Sequence, residues 1–212
     1  MVGNRGIIMD TSLGFWLKVT QQWGADRSEC VAVYKELTNA YCEKNRHYHD
    51  LTHIEHMLSL ANQVSEQIED HDAMYLAIWF HDVIQKLGRD SEQLSADFAV
   101  KKLMALGAPK TFCQLVSALI LSTVHGQAAA HSGDETLLVD IDLAILGVNR
   151  AAYQTYSRLC RKEYKIPERL YVSGRKKVLQ SFLAQTQIFK TPYFYQKFEN
   201  SARKNIQWEL SL

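Results

Sequence analysis

Ala73-Met-Tyr-Leu-Ala-Ile-Trp-Phe-His-Asp82 is a run of eight residues without a charge, closed by an imidazole and a carboxylate. Apolar runs build cores, and an ionised carboxylate is costly there unless something compensates it. A metal ion is one such compensation, because it takes neutral imidazole and carboxylate together as ligands. The run is read as most of a helix from about Asp72 to Leu87. Two questions follow from it: whether the rest of the chain is also helical, and whether it supplies further ligands.

Working outward, the chain is punctuated as a helical protein is. Its three prolines, Pro109, Pro167 and Pro192, each fall where a helix would begin. Gly24, Gly88, Gly107, Gly126 and Gly147 each follow a helix and suit a C-terminal cap. No two alternating segments are joined by an Asn-Gly or Asp-Gly turn. The expected fold is all-α, with about ten helices. The first runs from about Ser12 to Trp23. The second opens at the capping box Asp26-x-x-Glu29 and the third at Thr52-x-x-Glu55. Later helices cover about Ser91 to Gly107, Lys110 to Val124, Arg150 to Tyr164, Pro167 to Ile188 and Pro192 to Trp208. Leu137 to Leu146 admits a strand, but Leu138, Ile141 and Ile145 make an apolar helical stripe that leaves Asp142 free to face a site.

Composition narrows the function classes. The chain has 212 residues, 47% hydrophobic and 22% charged, which suits one domain with a sizeable core. A net charge of +1 does not favour a broad nucleic-acid surface. Cys30, Cys42, Cys113 and Cys160 form no CxxC motif and read as reduced core residues of a cytoplasmic protein. The first ten residues are too short and polar for a signal peptide, and no apolar run spans a membrane.

Three clusters can complete the site. They are Arg46-His-Tyr-His-Asp-Leu-Thr-His53, His81-Asp82 and Asp140-Ile-Asp142. His53 and His81 are 28 positions apart, a helix, a turn and a helix, so antiparallel neighbours can bring them together. Two imidazoles and two carboxylates would suit Mn, Fe, Mg, Zn or Co better than a thiolate-rich structural zinc site does. The third cluster offers Asp140 or Asp142.

The ordered pattern H…HD…D resembles the HD superfamily of metal-dependent phosphohydrolases. Tyr48-His49-Asp50-x-x-His53 is also similar to a motif of cyclic-nucleotide phosphodiesterases, a branch of the same fold. Further similar stretches are Ala77 to Asp82, Asp142 to Gly147, Arg161-x-Glu-Tyr164, Gly174-Arg175 and Ala202-Arg203-x-Asn205. The resemblance implies a single HD-type helical bundle over residues 1–212, with a metal-binding core at about 31–150 and a helical extension at about 151–212. It implies His53, His81, Asp82 and Asp142 as ligands of one or two divalent ions, with Asp142 preferred over Asp140 and Ni also among the candidates. It implies His49 as the proton donor to the leaving oxygen, with Asp82 sharing in catalysis. Asp50 departs from the phosphodiesterase motif, which has Asn there. A carboxylate beside His49 would raise its pKa, and cyclic-nucleotide recognition is not inherited.

The expected activity is hydrolysis of a phosphate ester, of a nucleotide or a related metabolite. Arg46, Lys86 and Arg175 are candidate phosphate binders. His125 and Glu92 are candidates for a second metal or for the phosphate site. The bland counterparts are a solvated face for Arg175-Lys-Lys177, and core or homodimer packing for Tyr193, Phe194, Tyr195 and Phe198. Two other functions are carried along. One is a metal-binding regulatory module without turnover. The other is an HD-type di-iron oxygenase, which would need His56 and His125 as added ligands.

Overall fold

The structure is a computed structural model that describes residues 3–86, 90–124 and 133–212, with side chains from Ser12 onward. Ten α-helices are described: α1 Gly3–Thr20, α2 Arg27–Tyr41, α3 Leu51–Gln63, α4 His71–Phe80, α5 Ser91–Ala105, α6 Lys110–Ser122, α7 Gly133–Leu143, α8 Arg150–Glu163, α9 Glu168–Ala184 and α10 Pro192–Leu210. Among the described residues there is no strand, as the punctuation predicts. No helix is long and apolar enough to cross a membrane.

The charge-free run forms α4, and all eight residues from Ala73 to Phe80 are buried. A helix apolar on every side must be covered on every side. Helices α3, α5, α6 and α7 pack around it. The Asp70 carboxylate caps its start by accepting the Ala73 N–H at 2.9 Å. The helix ends at Phe80, and the residues from His81 to Lys86 are not helical; the expected end at Leu87 lies outside the described residues. Arg46 takes the carbonyls of Asp82 and Val83, and Ser95 Oγ accepts the Ile84 N–H at 3.1 Å. The backbone groups beyond His81 are satisfied outside a helical ladder, so the helix can stop inside the core.

The Leu137 to Leu146 segment is helical, as α7 followed by a short 3₁₀ turn, Ala144–Gly147. Asp134, in its first turn, accepts the N–H groups of Glu69 and Asp70 and ties the start of α7 to the start of α4. Gly147 is not a left-handed cap, unlike Gly24 and Gly107 with φ of 86° and 85°. It is required by close approach: a Cβ there would lie 2.4 Å from Phe198 Cβ of α10. Pro109 and Pro167 directly precede α6 and α9, and Pro192 is the first residue of α10.

The last helix is held by specific bonds as well as by apolar packing. Asn205 Nδ2 donates to the carbonyls of Leu146 and Val148 at 2.9 and 2.8 Å. Phe194 and Phe198 are buried with Phe189, so that half of the aromatic group is core, while Tyr195 is exposed. Cys30, Cys113 and Cys160 are buried free thiols, and Cys42 is an exposed one.

Candidate metal centre

Three helices deliver the ligand-type side chains to one point. His53 lies in the first turn of α3, His81 caps the end of α4 with Asp82 next to it, and Asp142 is on the last turn of α7. The start of α3 is set by Asp50, whose carboxylate accepts the Thr52 N–H at 2.8 Å. Asp50 is therefore the cap that the spacing assigns to Thr52. His53 Nε2 and His81 Nε2 approach to 3.2 Å. Asp82 Oδ2 is 3.2 Å from His81 Nε2 and 3.9 Å from His53 Nε2. Asp142 Oδ1 is 3.4 Å from His53 Nε2 and 4.0 Å from His81 Nε2. Among the described residues, His53, His81 and Asp82 offer ligand atoms all within 4.8 Å of one another.

The donor set fits a divalent cation. His81 Nδ1 donates to the Ile78 carbonyl at 2.8 Å, which leaves Nε2 as the ring nitrogen that faces His53 and Asp82. Burial pushes the His81 pKa down, but Asp82 and Asp142 outweigh it and raise it to about 9. Burial also opposes charge on Asp82, yet His81, His49 and His53 hold it well below the usual carboxylate range. For His53, burial outweighs Asp142 and lowers the pKa. Two buried imidazoles face each other between two carboxylates, with positive charge demanded at their centre. A cation placed there would meet two nitrogens and two oxygens.

Beside this group stands a second device. Glu163, at the end of α8, accepts the N–H groups of His47, Tyr48 and His49 on one oxygen, at 2.7, 2.7 and 2.9 Å. Its other oxygen lies 2.6 Å from His49 Nδ1. The opposite ring nitrogen, His49 Nε2, is 3.8 Å from Asp82 Oδ2. Burial disfavours the imidazolium, but Asp82 and Glu163 outweigh it and raise the His49 pKa. Burial likewise opposes the Glu163 carboxylate, and the bond to the His49 ring, with the N–H groups of Tyr48 and His47, brings its pKa down to about 2. The carboxylate that supports His49 is thus Glu163, not Asp50.

These groups open on a cleft of about 400 Å³, lined by His49, His81, Asp82 and Asp142 and also by Lys86 and Glu92. Two predicted phosphate binders are not in it. Arg46 is buried and donates to the carbonyls of His49, Asp82 and Val83 at 3.1, 2.7 and 2.9 Å. Its two terminal nitrogens hold the two site loops together, and among the described residues its buried Nε has no partner. Arg175 pairs with Glu209 at 2.9 Å and donates to Tyr156 Oη at 3.2 Å. It ties α8, α9 and α10 together and, outside the main cleft, lines a small cavity of about 70 Å³ with His49 and Asp142. Asp140 is fully buried and accepts the N–H groups of Lys190 and Thr191, away from the histidines. His56 is exposed on α3, outside the ligand group. His125 lies outside the described residues.

The spacing misses Glu163, Gln85, Tyr164 and Lys165, all of which line the cleft. Glu163 acts on residues 114 to 116 positions away. Its one signal is its place in the stretch Arg161-x-Glu-Tyr164, which carries part of the family resemblance. No family model, curated protein or solved structure matches the chain.

Proposed function

We propose that the chain is a divalent-metal-dependent phosphohydrolase of the HD type, with His53, His81, Asp82 and Asp142 as the ion's ligands. The observation that carries this reading is the juxtaposition of two groups. Two buried imidazoles and two half-buried carboxylates meet at contacts of 3.2 to 4.0 Å. Beside them stands His49, with Nδ1 held 2.6 Å from a Glu163 oxygen and Nε2 turned toward Asp82 at 3.8 Å.

A divalent ion between these imidazoles and carboxylates supplies Lewis acidity, activating water and polarising a phosphoryl oxygen. The protein's own part is proton handling and positioning. Water adds to phosphorus as the bond from phosphorus to the leaving oxygen breaks. The leaving oxygen takes the Nε2 proton of His49 and departs as an alcohol. The proton lost by the water leaves to solvent in the cleft, and His49 is reprotonated from that solvent between turnovers; Asp82 holds the ion and faces His49 Nε2 at 3.8 Å. Glu163 keeps His49 in the orientation that turns Nε2 into the cleft.

The test is a panel of phosphate esters assayed with Mn, Zn, Ni, Co or Mg, with metal content measured in parallel. His49→Ala should keep the metal and lose about 10²- to 10⁴-fold in turnover. Asp82→Ala should lose both. Turnover that survives both substitutions contradicts the mechanism. Metal retention without hydrolysis of any ester would instead make the chain a metal-binding regulatory module.

A further inference from the structure

The cleft has an unusual lining for a small-molecule site. Such pockets are mostly walled by aliphatic and aromatic side chains, with a few polar groups for orientation. Here, among the described residues, no aliphatic side chain lines the cleft, and Tyr164 is its one phenol ring. The contrast is available in the same molecule. Another groove, lined in part by His53, is walled by Ile145, Ala151, Tyr156 and Leu159. A nucleobase gains affinity by stacking on flat apolar faces, and a single half-exposed tyrosine at a corner provides little of that.

Charge gives the second constraint. The cationic groups near the site are mostly engaged elsewhere. Arg46 is bound to backbone carbonyls, and Arg161 is bound to Glu168 and to the carbonyls of Tyr164 and Ile166. Lys86 and Lys165 line the cleft, and among the described residues neither ammonium has a side-chain partner. Lys86 follows the His81-Asp82 loop, and Lys165 follows the Glu163 corner, so they approach from two different segments. A phosphate monoester carries about 1.5 to 2 negative charges near neutral pH, whereas a diester carries one. Two cations beyond the metal ring match the monoester better. Glu92, Ser91 and Asn45 complete the wall with hydrogen-bonding groups, and a carboxylate such as Glu92 accepts bonds from hydroxyls.

We infer that the substrate class is the phosphate monoester of a small hydroxylated alcohol, a sugar or polyol phosphate, and not a nucleotide or a diester. This inference rests on the phosphohydrolase reading. Lys86 and Lys165 hold the phosphate dianion, and Glu92 faces the hydroxyls of the leaving alcohol. The reaction converts the monoester and water into the free alcohol and inorganic phosphate, with the leaving oxygen protonated from His49.

The test compares steady-state hydrolysis by the full chain with Mn²⁺. The substrates are p-nitrophenyl phosphate, glycerol phosphate, a hexose 6-phosphate, adenosine monophosphate and bis-p-nitrophenyl phosphate. The expected result is a kcat/KM for a sugar or polyol phosphate at least about tenfold above that for adenosine monophosphate and the diester. Lys86→Ala and Lys165→Ala should each raise KM for the monoester by about tenfold or more. Glu92→Ala should narrow the preference for polyol phosphate over p-nitrophenyl phosphate. Adenosine monophosphate or the diester hydrolysed at least as well as the polyol esters would overturn the inference and leave the phosphohydrolase reading intact. So would lysine variants with unchanged KM. Failure to hydrolyse any of the five esters would remove both.

Discussion

Glu163 gives one oxygen to three backbone N–H groups and the other to the His49 ring. Glu163→Gln keeps the size of the side chain and removes the charge that favours the imidazolium. The variant should retain its metal and lose about ten- to a hundredfold in kcat. Because His49 must be protonated to act, a lower His49 pKa should move the basic limb of the pH–rate profile to lower pH. A merely structural role would lower activity without moving that limb. Glu163 was legible in sequence only as part of a resemblance, since its partners lie more than 100 positions away. Arg46 and Arg175 illustrate the converse. An arginine near a predicted site reads as a phosphate binder, yet whether carbonyls or a glutamate occupy its donors depends on tertiary contacts.

Among the helices, α7 separates two carboxylates that the sequence places side by side. Asp140 faces the entry to α10, where its oxygens accept Lys190 N–H at 3.0 Å and Thr191 N–H at 2.7 Å. Asp142 faces the histidines. The 100° turn per residue of a helix makes this division, and it is why the helical reading of Leu137 to Leu146 matters. Asp140→Ala should destabilise the fold by about 1–3 kcal/mol through the lost bonds to α10, with metal binding preserved. Asp142→Ala should show the opposite pattern in the same thermal-unfolding and metal-content measurements. Helix starts were legible because Asp26, Pro109, Pro167 and Pro192 act on their own neighbours. The end of α4 was not, because Arg46 and Ser95 terminate it from other parts of the chain.

For the whole molecule, all-helical architecture followed from local spacing, whereas the cleft is a product of packing between α3, α4, α7 and α8. That packing leaves an acid-sensitive joint. Glu163 has a folded pKa of about 2 against an ordinary 4.5. A depressed carboxylate adds stability above its unfolded pKa and loses it as pH falls toward the folded one. The window is therefore about pH 4.5 down to 2. Denaturant unfolding at pH 6 and pH 3 should show a drop in stability that is about 2 kcal/mol smaller in Glu163→Gln than in the native chain. The group of His53, His81, Asp82 and Asp142 is the other joint, since it brings three helices to one point. The measurement that tests it most directly is calorimetric titration of Mn²⁺ and Zn²⁺ into the metal-stripped chain, with His81→Ala alongside. Saturable binding that raises the melting temperature of the native chain, and is lost in His81→Ala, is the predicted result. An absence of binding, or equal binding by His81→Ala, would contradict the metal centre and the function built on it.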